Sequence, residues 1–185
     1  MIAEHARETL DTLANSQGRS GRHIAAGVAL TAGAVALSWA IARQQAPTPD
    51  HPRAKAEFDR LDKPAFQPPA KAFAAVWPPL FIALTLSGLR VWNAPPSAAR
   101  TRALTLWSLV QGFNALWMGF GFKHLGGQLT ASIASLGASM AYAWQARKVD
   151  APAAGMLAPY LGWISFANVL TEELWRRNAP KPTLH

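Results

Sequence analysis

The sequence predicts an all-α integral membrane protein: a bundle of five transmembrane helices, with a long ordered first loop acting as a lid. Three observations carry that expectation. Five stretches contain no Asp, Glu, Lys or Arg, namely residues 24–42, 72–89, 103–122, 125–145 and 151–171. Each is 18 to 21 residues long, and a hydrocarbon core about 30 Å thick takes roughly 20 helical residues at about 1.5 Å apiece. The charges crowd into the segments between, whereas a helix facing water carries polar side chains along its outer face. A helix apolar all round suits lipid, where its backbone is satisfied internally and nothing must face water.

The 185 residues fit one membrane domain, residues 24–178, between an N-terminal extension (1–23) and a short tail (179–185). The absence of cysteine excludes disulfides, thiolate metal sites and cysteine nucleophiles. A net charge of +8 raises nucleic acid as a partner. No basic run alternates with aromatics, however, and the charges flank spans. The lipid bilayer, with its anionic headgroups, is the better reading, and no nucleic acid is expected.

In the extension, Ile2, Ala6, Leu10 and Leu13 would line one face of an interfacial helix, with Glu4, Arg7, Glu8 and Asp11 opposite; a disordered tail is the alternative. The first span covers 24–42. Ala40-Ile41-Ala42 imitates a signal-peptide cleavage site, but 19 apolar residues exceed the usual 7–15, so a retained span is expected. The lid, 43–71, mixes charge, aromatics and prolines in Glu57 to Pro69. Proline fixes φ and stiffens the backbone, which favours an ordered cap over a plain solvated linker. The second span, about 72–92, contains Pro78-Pro79 and is expected to kink there. The remaining spans are about 103–122, 125–145 and 151–174. Trp39, Trp92, Trp107, Trp144 and Trp175 lie near span ends, where indoles favour the interface, while Trp77, Trp117 and Trp163 lie deeper. Ten basic residues on the lid side against eight on the other place the C-terminus in the cytoplasm. The alanine- and arginine-rich chain suggests a bacterial inner membrane.

Within the spans, residues at helical spacing describe a site. Trp77 and Phe81 share one face of the second span; Gln111, Asn114 and Trp117 follow one face of the third; Trp163, Phe166 and Ala167 follow one face of the fifth. An amide in lipid must turn inward to a partner, either as interhelical glue or toward a ligand. Indoles beside amides under a proline-rich lid suit a flat aromatic ligand, stacked between rings and oriented by a few polar groups. A mid-span tryptophan taken alone is more often packing. Pairs of small residues, Ala29 with Gly33, Ala115 with Gly119 and Ala134 with Ala138, would let helices approach closely, within the monomer or across a homodimer. The histidines His23, His51, His124 and His185 form no metal-site spacing, so no metal is expected; His124 alone could serve as an axial haem ligand, against the plainer reading of an interfacial residue.

The run Leu61-Asp62-Lys63-Pro64-Ala65-Phe66-Gln67-Pro68-Pro69, followed by Phe73-Ala74-Ala75-Val76-Trp77, resembles the signature of the TspO/MBR family, the translocator and tryptophan-rich sensory proteins. Gln111-Gly112-Phe113-Asn114-Ala115-Leu116-Trp117 and Pro159-Tyr160-Leu161-Gly162-Trp163-Ile164-Ser165-Phe166-Ala167 extend the resemblance in order and spacing across 58–178. It implies binding of porphyrins, protoporphyrin IX or haem, and of isoquinoline-carboxamide and benzodiazepine-type ligands, in a pocket beneath the lid. No cofactor is obligatory. Carried over by motif, Phe58, Phe66, Phe81, Asn114, Trp117 and Ala167 fall on the lid and pocket. Trp77 and Trp163 fall on the two tryptophans linked to light-dependent porphyrin breakdown, and would be catalytic if that reaction occurs. Departures are Phe58 for the usual tyrosine, Phe66 for the usual tryptophan, Thr171 for a common asparagine, and Glu172-Glu173 as added acid. Leu136, Tyr142 and Arg147 formally fit a sterol motif but sit on the fourth span, and no sterol transport is expected. The leading function is a membrane protein that senses, sequesters or transports porphyrin; the alternatives are a light-dependent porphyrin-degrading enzyme and a regulatory partner of other membrane proteins.

Overall fold

The computed structural model describes residues 1–44 and 46–179, and for Ile2, Ala3, Ala6 and Ala70 the backbone only. The tail from 180 to 185 and the Ile2 and Ala6 side chains of the expected amphipathic face therefore lie outside the described residues. Within them, every regular element is helical: α1 (Ile2–Ala14), α2 (Gly21–Gln44), α3 (Pro52–Asp59), α4 (Ala70–Asn93), α5 (Ala98–Phe120), a 3-10 turn (Phe122–His124), α6 (Leu125–Arg147), α7 (Ala151–Gly155) and α8 (Ala158–Asn178).

Among the described residues, three helical stretches are long and apolar enough to cross a membrane: Gly21–Gln44, Lys71–Asn93 and Ala151–Asn178, with mean hydropathies of 1.9, 1.7 and 1.3. Helices α5 and α6, 23 residues each, are long enough but carry more polar side chains. The structure shows where these point. Gln111 and Asn114 of α5 and Gln128, Ser132, Ser135 and Ser139 of α6 are buried inside, while Leu109, Leu116, Ile133 and Met140 face outward. Polar atoms turned inward and apolar ones outward is the arrangement lipid imposes.

Most boundaries fall close to the charge-free stretches, and the differences have local causes. Helix α5 starts at Ala98, earlier than the expected 103, because Ser97 caps it, its side chain accepting from the Arg100 amide at 3.0 Å. Arg100 and Arg102 thus belong to the helix's first turns. It stops at Gly121, whose φ of +58° suits glycine. The fifth span is not one helix as expected: α7 ends at Gly155 and α8 begins at Ala158. Pro159 has no N–H for the Gly155 carbonyl, so the ladder is interrupted there. Asp150 caps α7, accepting from the Ala153 amide at 2.7 Å. Helix α4 runs through Pro78-Pro79 unbroken.

Trp107 is corrected from interface to core. It is buried, donates its indole N–H to the Leu84 carbonyl at 3.0 Å, and lies over Gly88 of α4. A Cβ built on Gly88 would stand 2.7 Å from that ring, so this glycine, with Gly27 beneath Trp92, provides the close helix approach. Gly33 instead meets open space, and Gly119 has only Ile41 at 3.8 Å.

The connections gather at two ends. One collects the start of α2, the end of α4 and the start of α5: His23 stacks on Trp92 at 5.3 Å, and Trp92 donates to the His23 carbonyl at 3.0 Å. The other collects the lid, the α5–α6 turn and the end of α8. The loop between α2 and α4 contains a helix, α3, that its proline content did not suggest; Pro52 occupies that helix's first turn, where no N–H is missed.

Candidate ligand-binding site

Helices α4, α5, α6 and α8 bring most of the expected residues together. Trp77 stacks on Phe81 one turn further along α4, with centroids 5.2 Å apart. The same Trp77 ring lies 6.1 Å from Trp117 of α5 and meets Trp163 of α8 edge-on at 6.4 Å. From Trp163 the aromatic contacts continue outward to Phe166 at 5.5 Å, and Phe166 meets Phe66 of the lid at 6.4 Å. A continuous ladder of rings thus runs from the lid into the bundle. Phe73 joins it against Trp163 at 5.6 Å.

The polar centre is Asn114, 5 % exposed. Its Oδ1 accepts from Ser135 Oγ of α6 and from Tyr160 OH of α8, both at 2.8 Å. Two hydroxyl donors on one oxygen fix the amide, leaving Nδ2 without a partner among the described residues. Trp117 Nε1, Trp163 Nε1 and both polar atoms of Gln111 share that condition. A buried donor left unmade is unfavourable by about 1–3 kcal/mol. Of these, the Asn114 and Trp117 donors belong to residues lining the inner cavity, where an acceptor-bearing molecule could satisfy them.

Trp77, Asn114, Trp117, Ser132, Ser135, Ile164 and Ala167 line a cavity of about 10 Å³, room for about one water molecule. Pockets that hold small-molecule ligands span about 300–1,000 Å³. The site is therefore closed, and a molecule of that size would fit only if rings of the ladder swing apart.

The loop before α4 is pinned at its far end. Asn178 of α8 clamps Asp62, accepting from its amide at 2.9 Å and donating to its carbonyl at 3.0 Å, while Arg177 lies 3.7 Å from the Asp62 carboxylate. Phe58 does not join the inner ladder. It packs on Phe122 at 4.9 Å, beneath the Lys63 ammonium at 4.4 Å. Gln111 is buried but does not line the cavity. His124 is exposed on a groove of about 680 Å³ between Phe120, Lys123 and Trp175, separate from the inner cavity.

Sequence reasoning missed Tyr160, Ser135 and Ser132, which orient Asn114 or line the cavity. The available signal was a phenol and two hydroxyls inside charge-free stretches, each of which must find a partner there.

The chain's relatives fit this architecture. The model of the TspO/MBR family matches residues 25–176. Over 125 residues the chain is 29% identical to the translocator protein of Bos taurus, covering 65% of this chain and 74% of that one. Over 127 residues it is 29% identical to the tryptophan-rich sensory protein of Cereibacter sphaeroides, covering 68% and 78%. The protein CrtK of Rhodobacter capsulatus is 30% identical over 127 residues, covering 65% and 78%. With its helical spans, its inward-facing amides and a match over most of its length, this chain belongs to the TspO/MBR family of membrane proteins.

Proposed function

We propose that this protein crosses the membrane five times, through α2, α4, α5, α6 and the α7–α8 pair, and binds a flat tetrapyrrole such as protoporphyrin IX or haem among them to sense, sequester or transport it. The observation that supports this reading is the set of buried N–H donors on Asn114, Trp117 and Trp163 that have no partner among the described residues, in a bundle interior where Trp77 contacts both other indole rings. Burial of a macrocycle between aromatic faces would supply affinity, and Asn114 Nδ2 and the indole N–H groups would donate to its acceptors. Isoquinoline-carboxamide and benzodiazepine-type molecules present rings and a carbonyl and would compete for the same place. With the rings as they stand the cavity is too small for a macrocycle, so lid and rings move before binding. The bundle sits in a bacterial inner membrane with the lid and C-terminus on the cytoplasmic side.

A second reading is favoured by the edge-on contact of Trp77 and Trp163 at 6.4 Å: light-dependent breakdown of bound porphyrin, with these two indoles as the reactive side chains. Protoporphyrin IX titrated in the dark into the purified protein, followed by tryptophan emission, tests the first reading. Saturable quenching weakened by Trp77→Phe or Trp163→Phe supports it; linear quenching identical in all variants refutes it. Illuminating the saturated sample tests the second, which requires porphyrin absorbance to fall faster than in the double variant.

A further inference from the structure

Helix α1 meets the bundle at its C-terminal turn, and the joint is well built. The Arg90 guanidinium, 8 % exposed as a residue, pairs with Asp150 at 2.8 and 3.0 Å and donates to the carbonyls of Thr12 and Leu13. Asn93 donates to the Ala14 carbonyl at 2.9 Å. Asn15, in the left-handed region at φ +53°, closes the helix. Beyond that turn α1 leaves the protein: Leu10 is 65 % and Leu13 42 % exposed, as are Glu4, Arg7 and Glu8 on the other side. A 13-residue helix standing alone in water is marginal, since nucleation is unfavourable and few backbone bonds follow. Its stability requires a second surface.

The joint lies at the depth where this end of the bundle meets headgroups. Arg100 covers the Trp92 ring at 5.2 Å, and Lys148 covers the exposed Trp144 ring at 5.3 Å; indole–cation pairs of this kind mark a membrane interface. Eight basic side chains gather at this end, from Arg7 to Lys148, against Glu4, Glu8, Asp11 and the paired Asp150, an excess that complements anionic lipid.

We infer that α1 is a membrane-surface helix. It lies in the headgroup layer of an anionic phospholipid bilayer with Leu10 and Leu13 toward the acyl chains, about 5–10 Å below the surface, tethered to the bundle through Arg90. This inference rests on the membrane placement of the bundle and not on any ligand.

The cysteine-free chain makes the test direct. Single variants Leu10→Cys, Leu13→Cys, Glu8→Cys and Ile133→Cys are nitroxide-labelled in nanodiscs of phosphatidylcholine and phosphatidylglycerol, and relaxation by oxygen is compared with relaxation by a water-soluble nickel chelate. Ile133, outward in mid-α6, is the lipid reference. The labels at Leu10 and Leu13 should share its preference for oxygen, while the label at Glu8 is several-fold more accessible to nickel. Equal nickel access at Leu10 and Glu8 would overturn the inference, because α1 would then stand in water. Exclusion of both reagents at Leu10 would also overturn it, because protein would then cover the face. Elution and tryptophan emission matching the parent chain show that each variant is folded.

Discussion

Replacing Asn114 by leucine separates the two roles an intramembrane amide can have. Leucine fills a similar volume, so no large cavity is left. Two hydroxyls lose their shared acceptor. Ser135 can turn back to a carbonyl of its own helix, and Tyr160, fully buried, is left with the Ser135 and Ser139 hydroxyls beside it. Losing the amide acceptor destabilises by about 0.5–1.5 kcal/mol, the worth of one neutral hydrogen bond. In the opposite direction, the variant removes Nδ2, itself a buried donor without a partner among the described residues, and recovers about 1–3 kcal/mol. The two nearly cancel, so unfolding in detergent should show a net change of about 1 kcal/mol or less. Ligand affinity should not be spared: losing one neutral hydrogen bond, worth about 0.5–1.5 kcal/mol, weakens protoporphyrin IX binding roughly two- to tenfold. The comparison variant, Tyr160→Phe, keeps Nδ2 and should lose stability with little change in affinity. A fall of more than about 3 kcal/mol in Asn114→Leu with unchanged binding would refute the reasoning, since the amide would then be holding helices together and nothing else.

Three further predictions concern the frame around the site. Arg90→Met leaves the Asp150 carboxylate buried without its cation and the Thr12 and Leu13 carbonyls without their donor; denaturant unfolding should register a loss of about 3–5 kcal/mol, and limited proteolysis should release α1 first. Gly88→Ala drives a Cβ to within 2.7 Å of the Trp107 ring, which cannot retreat without breaking its bond to Leu84, and is expected to cost about 1–3 kcal/mol, whereas Gly33→Ala, facing open space, should be neutral in the same melts. Asn178→Ala removes both bonds to Asp62; hydrogen exchange across residues 58–69 should accelerate while α5 and α6 stay protected, and unchanged exchange would mean that the remaining contacts, Phe58 on Phe122, Phe66 on Phe166 and Arg177 near Asp62, hold the loop without Asn178.

The helices and the inner site were legible because lipid imposes simple rules on sequence. Charge-free stretches marked α2, α4 and α6 to within a few residues, and the helical spacing of Trp77 and Phe81, of Asn114 and Trp117, and of Trp163 and Ala167 placed each set on an inward face. Properties decided by a neighbour were not legible. Trp107 reads like an interfacial indole until Gly88 of another helix is seen to make room for it. The early start of α5 depends on one Ser97 cap, and the break before α8 on a single missing proline N–H. Tyr160 and Ser135 acquire their role only when α6 and α8 converge on Asn114. The resemblance placed Phe58 in the pocket; in this closed state it stands on Phe122 instead. That the cavity is nearly filled by its own rings could not be read from composition or periodicity, because it depends on side-chain rotamers of three helices at once.

The central claim is that a tetrapyrrole enters between Trp77, Asn114, Trp117 and Ala167. Growing a side chain into that space tests it most directly. Ala167, 6 % exposed, lines the cavity, and Ala167→Leu would fill it; Gly162 on the same helix meets nothing within 4 Å, and Gly162→Leu is the matched exterior change. The account predicts that protoporphyrin IX, titrated in the dark, binds Gly162→Leu as it binds the parent chain and binds Ala167→Leu at least about tenfold more weakly, a difference of about 1.4 kcal/mol. Parent-like affinity in a folded Ala167→Leu variant would contradict it.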